Sequence, residues 1–479
     1  MQGGKGLVSL SPFFLVREDF GKVQQSQYLA GFMALLYAFA GIDISPTKEI
    51  VTPEGLKMIP ASASGAGAQV AQGSEGALNV VFRVLKSDVR KAAVYYARRA
   101  AAGTWSEPVQ ISDEGADCED PVIGVCSDGT LVSSWIDTTA RDGFTLVIRS
   151  SGDSGRSWSS AVRQPAGITR AQPQIAVSGR AVYLCFTGAV EKNGADRVFL
   201  FQSHDAGSSW SQKEVDSKRA GSLSSQVRVM ARADQICLAW CHQDATGFSV
   251  VANGSTDGGE TWLSEPVVVS DPRPEKPSDP MFDVTDTQVV LVWKATYSGS
   301  KAIIYEDRSE DGITWGRDRI LLESRVIPVT YRIVRLGNDR LLLWLGVQNL
   351  RPERKAICWI RITYTSEATP NQEVVGLSGG EQATVSEFDV KVIDEVLYLA
   401  AIARFGKGDW RVLLLSRKAD GENRRWILGG EDRKERLSLA LVPLGQTVGW
   451  LFHERRARML PMESSLSERL VFGRLEQNH

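Results

Sequence analysis

Ser255-Thr-Asp-Gly-Gly-Glu-Thr-Trp262 runs straight into the strand-like stretch Glu265-Pro-Val-Val-Val-Ser270, and the chain repeats this arrangement. Near copies stand at Ser151-Gly-Asp-Ser-Gly-Arg-Ser-Trp158 and Ser203-His-Asp-Ala-Gly-Ser-Ser-Trp210, and a copy one residue shorter at Ser309-Glu-Asp-Gly-Ile-Thr-Trp315. Each sets a short acceptor (Asp153, Asp205, Asp257, Asp311) one or two residues before a glycine. That is turn chemistry: the carboxylate takes amides ahead of it, and glycine supplies positive φ. The closing tryptophan (Trp158, Trp210, Trp262, Trp315) then offers the next strand a large apolar anchor.

Spacing turns the turns into an architecture. Tryptophans 105, 158, 210, 262 and 315 recur every 52–53 residues. A second series, Phe82, Trp135, Phe186, Trp240, Trp293, Trp344, Tyr398 and Trp450, recurs every 51–54, each member inside an apolar run. Eight aromatics at one period predict eight repeats, and a period of this length built of short strands and turns predicts four-stranded blades. The expected fold is all-β, a β-propeller of eight blades with seven as the fallback.

The pattern Ser-x-Asp-x-Gly-x-Thr-Trp resembles the Asp-box, the bacterial neuraminidase repeat of the sialidase-like β-propellers. The motif is a structural turn, so its four copies speak for fold rather than chemistry.

The chain has 479 residues and a formal charge of −2, which gives no electrostatic case for nucleic acid. Six cysteines without CxxC or framework spacing and four scattered histidines predict buried thiols and no metal site. No phosphate-binding, dinucleotide or nucleophile-elbow motif is present, so no cofactor is expected.

Residues 1–43 lie outside the repeat, and residues 44–479 are assigned to the propeller. The stretch 28–41 is apolar and uncharged but short for a membrane span, which takes roughly 20 residues. It suits an export signal core, with Ala38-Phe-Ala40 as a cleavage pattern, or a short docked helix. The expected location is outside the cytoplasm, with a cytoplasmic one as the alternative, and membrane contact is expected only through this segment. Lys48-Glu-Ile-Val-Thr52 resembles the strand after each Asp-box, while the last repeat offers only three strands. The N-terminal strand is therefore expected to complete the final blade and remove the open edge.

Blade seven keeps only a worn box, Asp420-Gly421 with Trp426, and blade six has none. Inner strands of a propeller line its channel, so the residues that open them are the candidate ligand groups: Asp120, Gln172, Gln226, Asp279, Glu387 and Asp389. Acids, amides and arginines around a channel make a polar-ligand site. The resemblance implies more: sialidases hold a sugar carboxylate with three arginines, attack with a tyrosine paired to a glutamate, and use an aspartate as acid/base. Phe82-Arg83-Val84-Leu85 and Tyr331-Arg332-Ile333-Val334 echo the family's first arginine motif without its proline. On that implication the catalytic candidates are Arg83, Arg228 and Arg332 with Tyr331, and Asp120 as the acid. The three arginines are expected not to converge, because Arg83 belongs to the second-strand series. The reading placed first is a non-catalytic module binding a protein or glycan at the channel mouth; the alternative is an exo-sialidase or related glycoside hydrolase.

Overall fold

The computed structural model describes residues 47–51, 57–58 and 68–474, except 74–75, 87–90, 141–142, 168–172, 190–195, 217–222, 272–273, 286, 300, 326, 338, 350–354, 365–370, 375–382, 406–408, 419–422, 429–433, 446 and 457–468. The expected N-terminal helix, the apolar stretch 28–41, Gln172 and the worn box at Asp420-Gly421 lie outside the described residues. Among the described residues there is no α-helix, and no helix is long and apolar enough to cross a membrane.

Each sheet is a meander of antiparallel strands. Blade 2, for example, runs Cys118–Val125, Leu131–Asp137, Phe144–Ser151 and Val162–Gly167 from the inside outwards. Seven sheets are four-stranded blades of this kind, and one sheet has five strands. The innermost strands touch in sequence order, from Ala68–Gln72 through Cys118–Val125 to Lys434–Leu444, which returns to Ala68–Gln72 and closes the ring.

The five-stranded sheet is blade 1, and it corrects the expectation of like blades with four strands each. Lys57–Met58 and Ala68–Gln72 both pair with the same edge of Leu78–Lys86, at opposite ends of it, because Lys91–Arg99 occupies the other edge. The inner position is thus divided between two short segments, and the sheet is still four strands wide.

Closure follows the N-terminal expectation. Thr47–Ile50 pairs antiparallel with Arg469–Arg474, from Thr47 opposite Arg474 to Ile50 opposite Val471, and Val51 adds an amide bond of 2.9 Å to the Leu470 carbonyl. It is the outermost strand of blade 8, joined to the rest through Thr447–Arg456 and Lys434–Leu444.

The aromatic series lies on the second strand of every blade. Phe82, Trp135, Phe186, Trp240, Trp293, Trp344 and Trp450 are all at most 1% exposed. Strands in this position are covered on both faces by neighbouring blades, which explains their unbroken apolar runs, such as Val289-Val-Leu-Val-Trp293. The apolar core is accordingly divided into clusters, each shared by two adjoining blades; one joins Trp240 of blade 4 to Tyr183 and Leu200 of blade 3.

The four Asp-boxes are built alike. In each, the buried serine (Ser151, Ser203, Ser255, Ser309) donates to the aspartate and accepts an amide from the box glycine, as in Gly259 to Ser255 Oγ at 2.8 Å. The aspartate then takes the amide and hydroxyl near the end of the turn: Thr261 N at 2.9 Å and Thr261 Oγ1 at 2.5 Å on Asp257. The turn is also latched to the preceding blade. Tyr183 Oη and Gln202 Nε2 of blade 3 donate to the carbonyls of Gly258 and Gly259 in blade 4, at 2.7 and 3.0 Å. Gly155 is obligatory: its φ is +85°, and a Cβ there would stand 2.0 Å from the Tyr96 ring. The predicted strand Glu265–Ser270 is only Val267–Val268, which pairs with Val251 and Ala252.

Candidate functional site

Inner strands carry bulges near their channel ends: between Glu119 and Val122, Ser225 and Arg228, Ser278 and Met281, Val385 and Glu387, and Leu437 and Ala440. Three candidate residues occupy equivalent places in them with left-handed backbone: Asp120 at φ 47°, Gln226 at 56° and Asp279 at 56°. Such conformations cost a side-chain-bearing residue of order 1 kcal/mol or more. A bulge re-aims the side chain it carries. Its recurrence at one place in blades 2, 4 and 5 makes this mouth a built feature of the ring.

Asp279 is held from three blades. Gln226 Oε1 of blade 4 accepts its amide at 2.7 Å, while Tyr331 of blade 6 donates its hydroxyl to the Asp279 carbonyl. Its carboxylate meets Lys294 Nζ at 2.9 Å and Ser278 Oγ at 3.2 Å. Lys294 is 8% exposed and also donates to the Pro328 carbonyl at 2.9 Å. This buried lysine was missed in the sequence because it follows Trp293 in a second-strand run that reads as core.

Tyr331 is 1% exposed. Burial pushes its phenol well above the ordinary value, and Asp279 and Cys241 push it the same way against Arg228 and Arg332. Arg228 stands two residues after Gln226 on the inner strand of blade 4, and Arg332 follows Tyr331 on that of blade 6. Arg228 Nη1 donates to the Val227 carbonyl at 3.1 Å, and Arg332 Nη1 to Thr330 Oγ1 at 3.1 Å and the Tyr331 carbonyl at 2.8 Å. Both residues are half-buried, and the Arg332 side chain is 37% exposed.

Arg83 stands elsewhere. It lies on the second strand of blade 1, is 6% exposed, and faces Glu119 of blade 2 at 3.9 Å. Glu387 and Asp389 serve the ring: Glu387 Oε2 accepts Leu439 N at 3.0 Å and Asp389 Oδ2 accepts Leu441 N at 2.9 Å, both on blade 8. Asp389 also faces Arg332 Nε at 3.7 Å. Asp120 sits in its bulge half-buried beside Glu119. Structure thus brings Gln226, Arg228, Asp279, Tyr331 and Arg332 together, adds Lys294, and leaves Arg83 at another blade junction.

What the arrangement offers is recognition chemistry. Two partly open arginines can take an acidic group, and the open face of the Asp279 carboxylate can take hydroxyl or amide donors. Among the described residues, no group of three or more His, Cys, Asp or Glu side chains is placed to hold a metal ion.

The family profile described as BNR repeat-like domain matches residues 85–341, in agreement with this architecture. No curated protein matches the chain. Among solved structures, the chain is similar to the α-L-arabinanase of Penicillium chrysogenum, at 12% identity over 91% of this chain and 98% of that one, with a TM-score of 0.40. It is likewise similar to the NanB sialidase of Streptococcus pneumoniae, at 12% identity over 91% and 72%, with a TM-score of 0.38. A third is the polysaccharide lyase Uly1, at 11% identity over 79% and 93%, with a TM-score of 0.47.

Proposed function

Because the chain belongs to the BNR repeat-like domain family and folds as a sialidase-like β-propeller, we propose that it is a non-catalytic module whose channel mouth binds a polar protein or glycan partner. The observation that carries this reading is Tyr331. A nucleophilic phenol must reach its substrate and lose its proton readily. The Tyr331 hydroxyl is buried, donates to a backbone carbonyl, and sits where burial opposes ionisation. Arg83, the third arginine the resemblance offers for a carboxylate clamp, stands away from the mouth and faces Glu119 instead.

Arg228 and Arg332 are then the ligand's acidic-group donors, Asp279 receives its donors, and Gln226 and Lys294 fix Asp279. The test is a glycan array together with a pull-down from the native compartment, using wild type and the Arg228→Ala/Arg332→Ala double variant. Removing each charge-assisted hydrogen bond should weaken binding by about tenfold or more, with an unchanged melt. Partner capture that is indifferent to the double variant contradicts the reading.

A further inference from the structure

We propose that a cavity on the outer side of the ring, between blades 1 and 2, is a second ligand site for a single anionic sugar ring of the hexuronate class. The cavity measures about 440 Å³ and is walled by the blade 1 turn at Ala100–Ser106 and by Ser154, Gly155 and Arg156 of the blade 2 Asp-box. None of its lining belongs to an inner strand, so it is separate from the mouth. Its size falls in the usual range for small-ligand sites, roughly 300–1,000 Å³.

The lining divides by chemistry. Arg98 and Arg156 both face it, and among the described residues neither side chain makes an ion pair. They offer forked donors for a carboxylate. Trp105, half-buried, supplies the apolar wall that a sugar-ring face packs against, while Tyr96, 2% exposed, backs the lining without offering a ring face. Glu107 and the hydroxyl of Thr104 supply acceptors for ring hydroxyls, which a purely aromatic acid would leave unused.

The wall is already in place. Trp105 meets the Phe472 ring edge-on with centroids 5.4 Å apart, and its backbone bridges Arg99. Tyr96 donates to Asn79 Oδ1 at 2.7 Å and to the Ser154 carbonyl at 3.2 Å. A site ordered in advance avoids the entropy of assembling itself on binding.

A saturation-transfer NMR titration of the full chain with glucuronate and with glucose tests this. Glucuronate should bind, glucose about tenfold more weakly or not at all, and Arg98→Ala/Arg156→Ala should weaken glucuronate binding by about tenfold or more. Arg228→Ala, at the mouth, should leave it unchanged. Arg156→Glu alone, at an exposed position, guards against misfolding and should also abolish binding. Equal binding of glucose, loss through Arg228→Ala, or no glucuronate signal overturns the proposal.

Discussion

Ser255 and Asp257 divide the work of their turn by burial. The serine hydroxyl is 1% exposed and is the acceptor for the Gly259 amide, whereas the carboxylate holds the exposed end of the turn. Ser255→Ala leaves that buried amide unsatisfied and should cost about 1–3 kcal/mol; a thermal or denaturant melt measures it. Asp153 is drawn down to about 2 by the Ser157 hydroxyl and amide and by Ser151. Asp205 is also about 2: partial burial pushes it up, but Ser209 and Ser203 outweigh that. Lowered values mean the folded state binds fewer protons than the unfolded one between pH 2 and about 4. The stability these carboxylates give is complete above about pH 4 and is lost as pH falls through 2. Asp153→Asn/Asp205→Asn should therefore melt below wild type at pH 7, with the gap closing towards pH 2. The box was legible in the sequence because its donors and acceptors lie within seven residues. Its latch was not, since Tyr183 and Gln202 come from another blade.

Strands two of each blade show how far a periodic signal reaches. The aromatic series identified them because each is sealed between two blades, and Trp240 packs with Tyr183, Cys185 and Leu238 in one such seam. Trp240→Ala should cost about 3–5 kcal/mol, read from chemical denaturation, while Trp262→Ala, on a half-buried ring, should cost less. Inner strands were legible only in part. Apolar pattern and turn residues placed Gln226, Asp279 and Asp389 at the channel, but pattern does not record where a bulge turns a side chain. Glu387 and Asp389 are engaged with blade 8 amides, a contact between blades that no local pattern records, and Lys294 enters the site from a strand that reads as core.

Closure of the ring joins residues more than 400 positions apart in the chain, Thr47–Ile50 and Arg469–Arg474. It was legible because a lone strand with an outer-strand pattern and a blade with one strand too few need each other. Removing residues 1–51 should expose the Arg469–Arg474 edge, lower the melting temperature and promote association of chains; light scattering during a melt follows both. Blade 1 was harder to read, because two short segments share one strand's place and no period marks the break between them. At the scale of function, Tyr331 is sealed in the wall of the mouth, and the proposal that the mouth recognises without cleaving rests on that burial. The direct measurement is release of fluorophore from an α-sialoside by the purified full chain, beside a Tyr331→Phe variant. No release above the variant's background is expected; saturable release that disappears with Tyr331→Phe would contradict the non-catalytic reading.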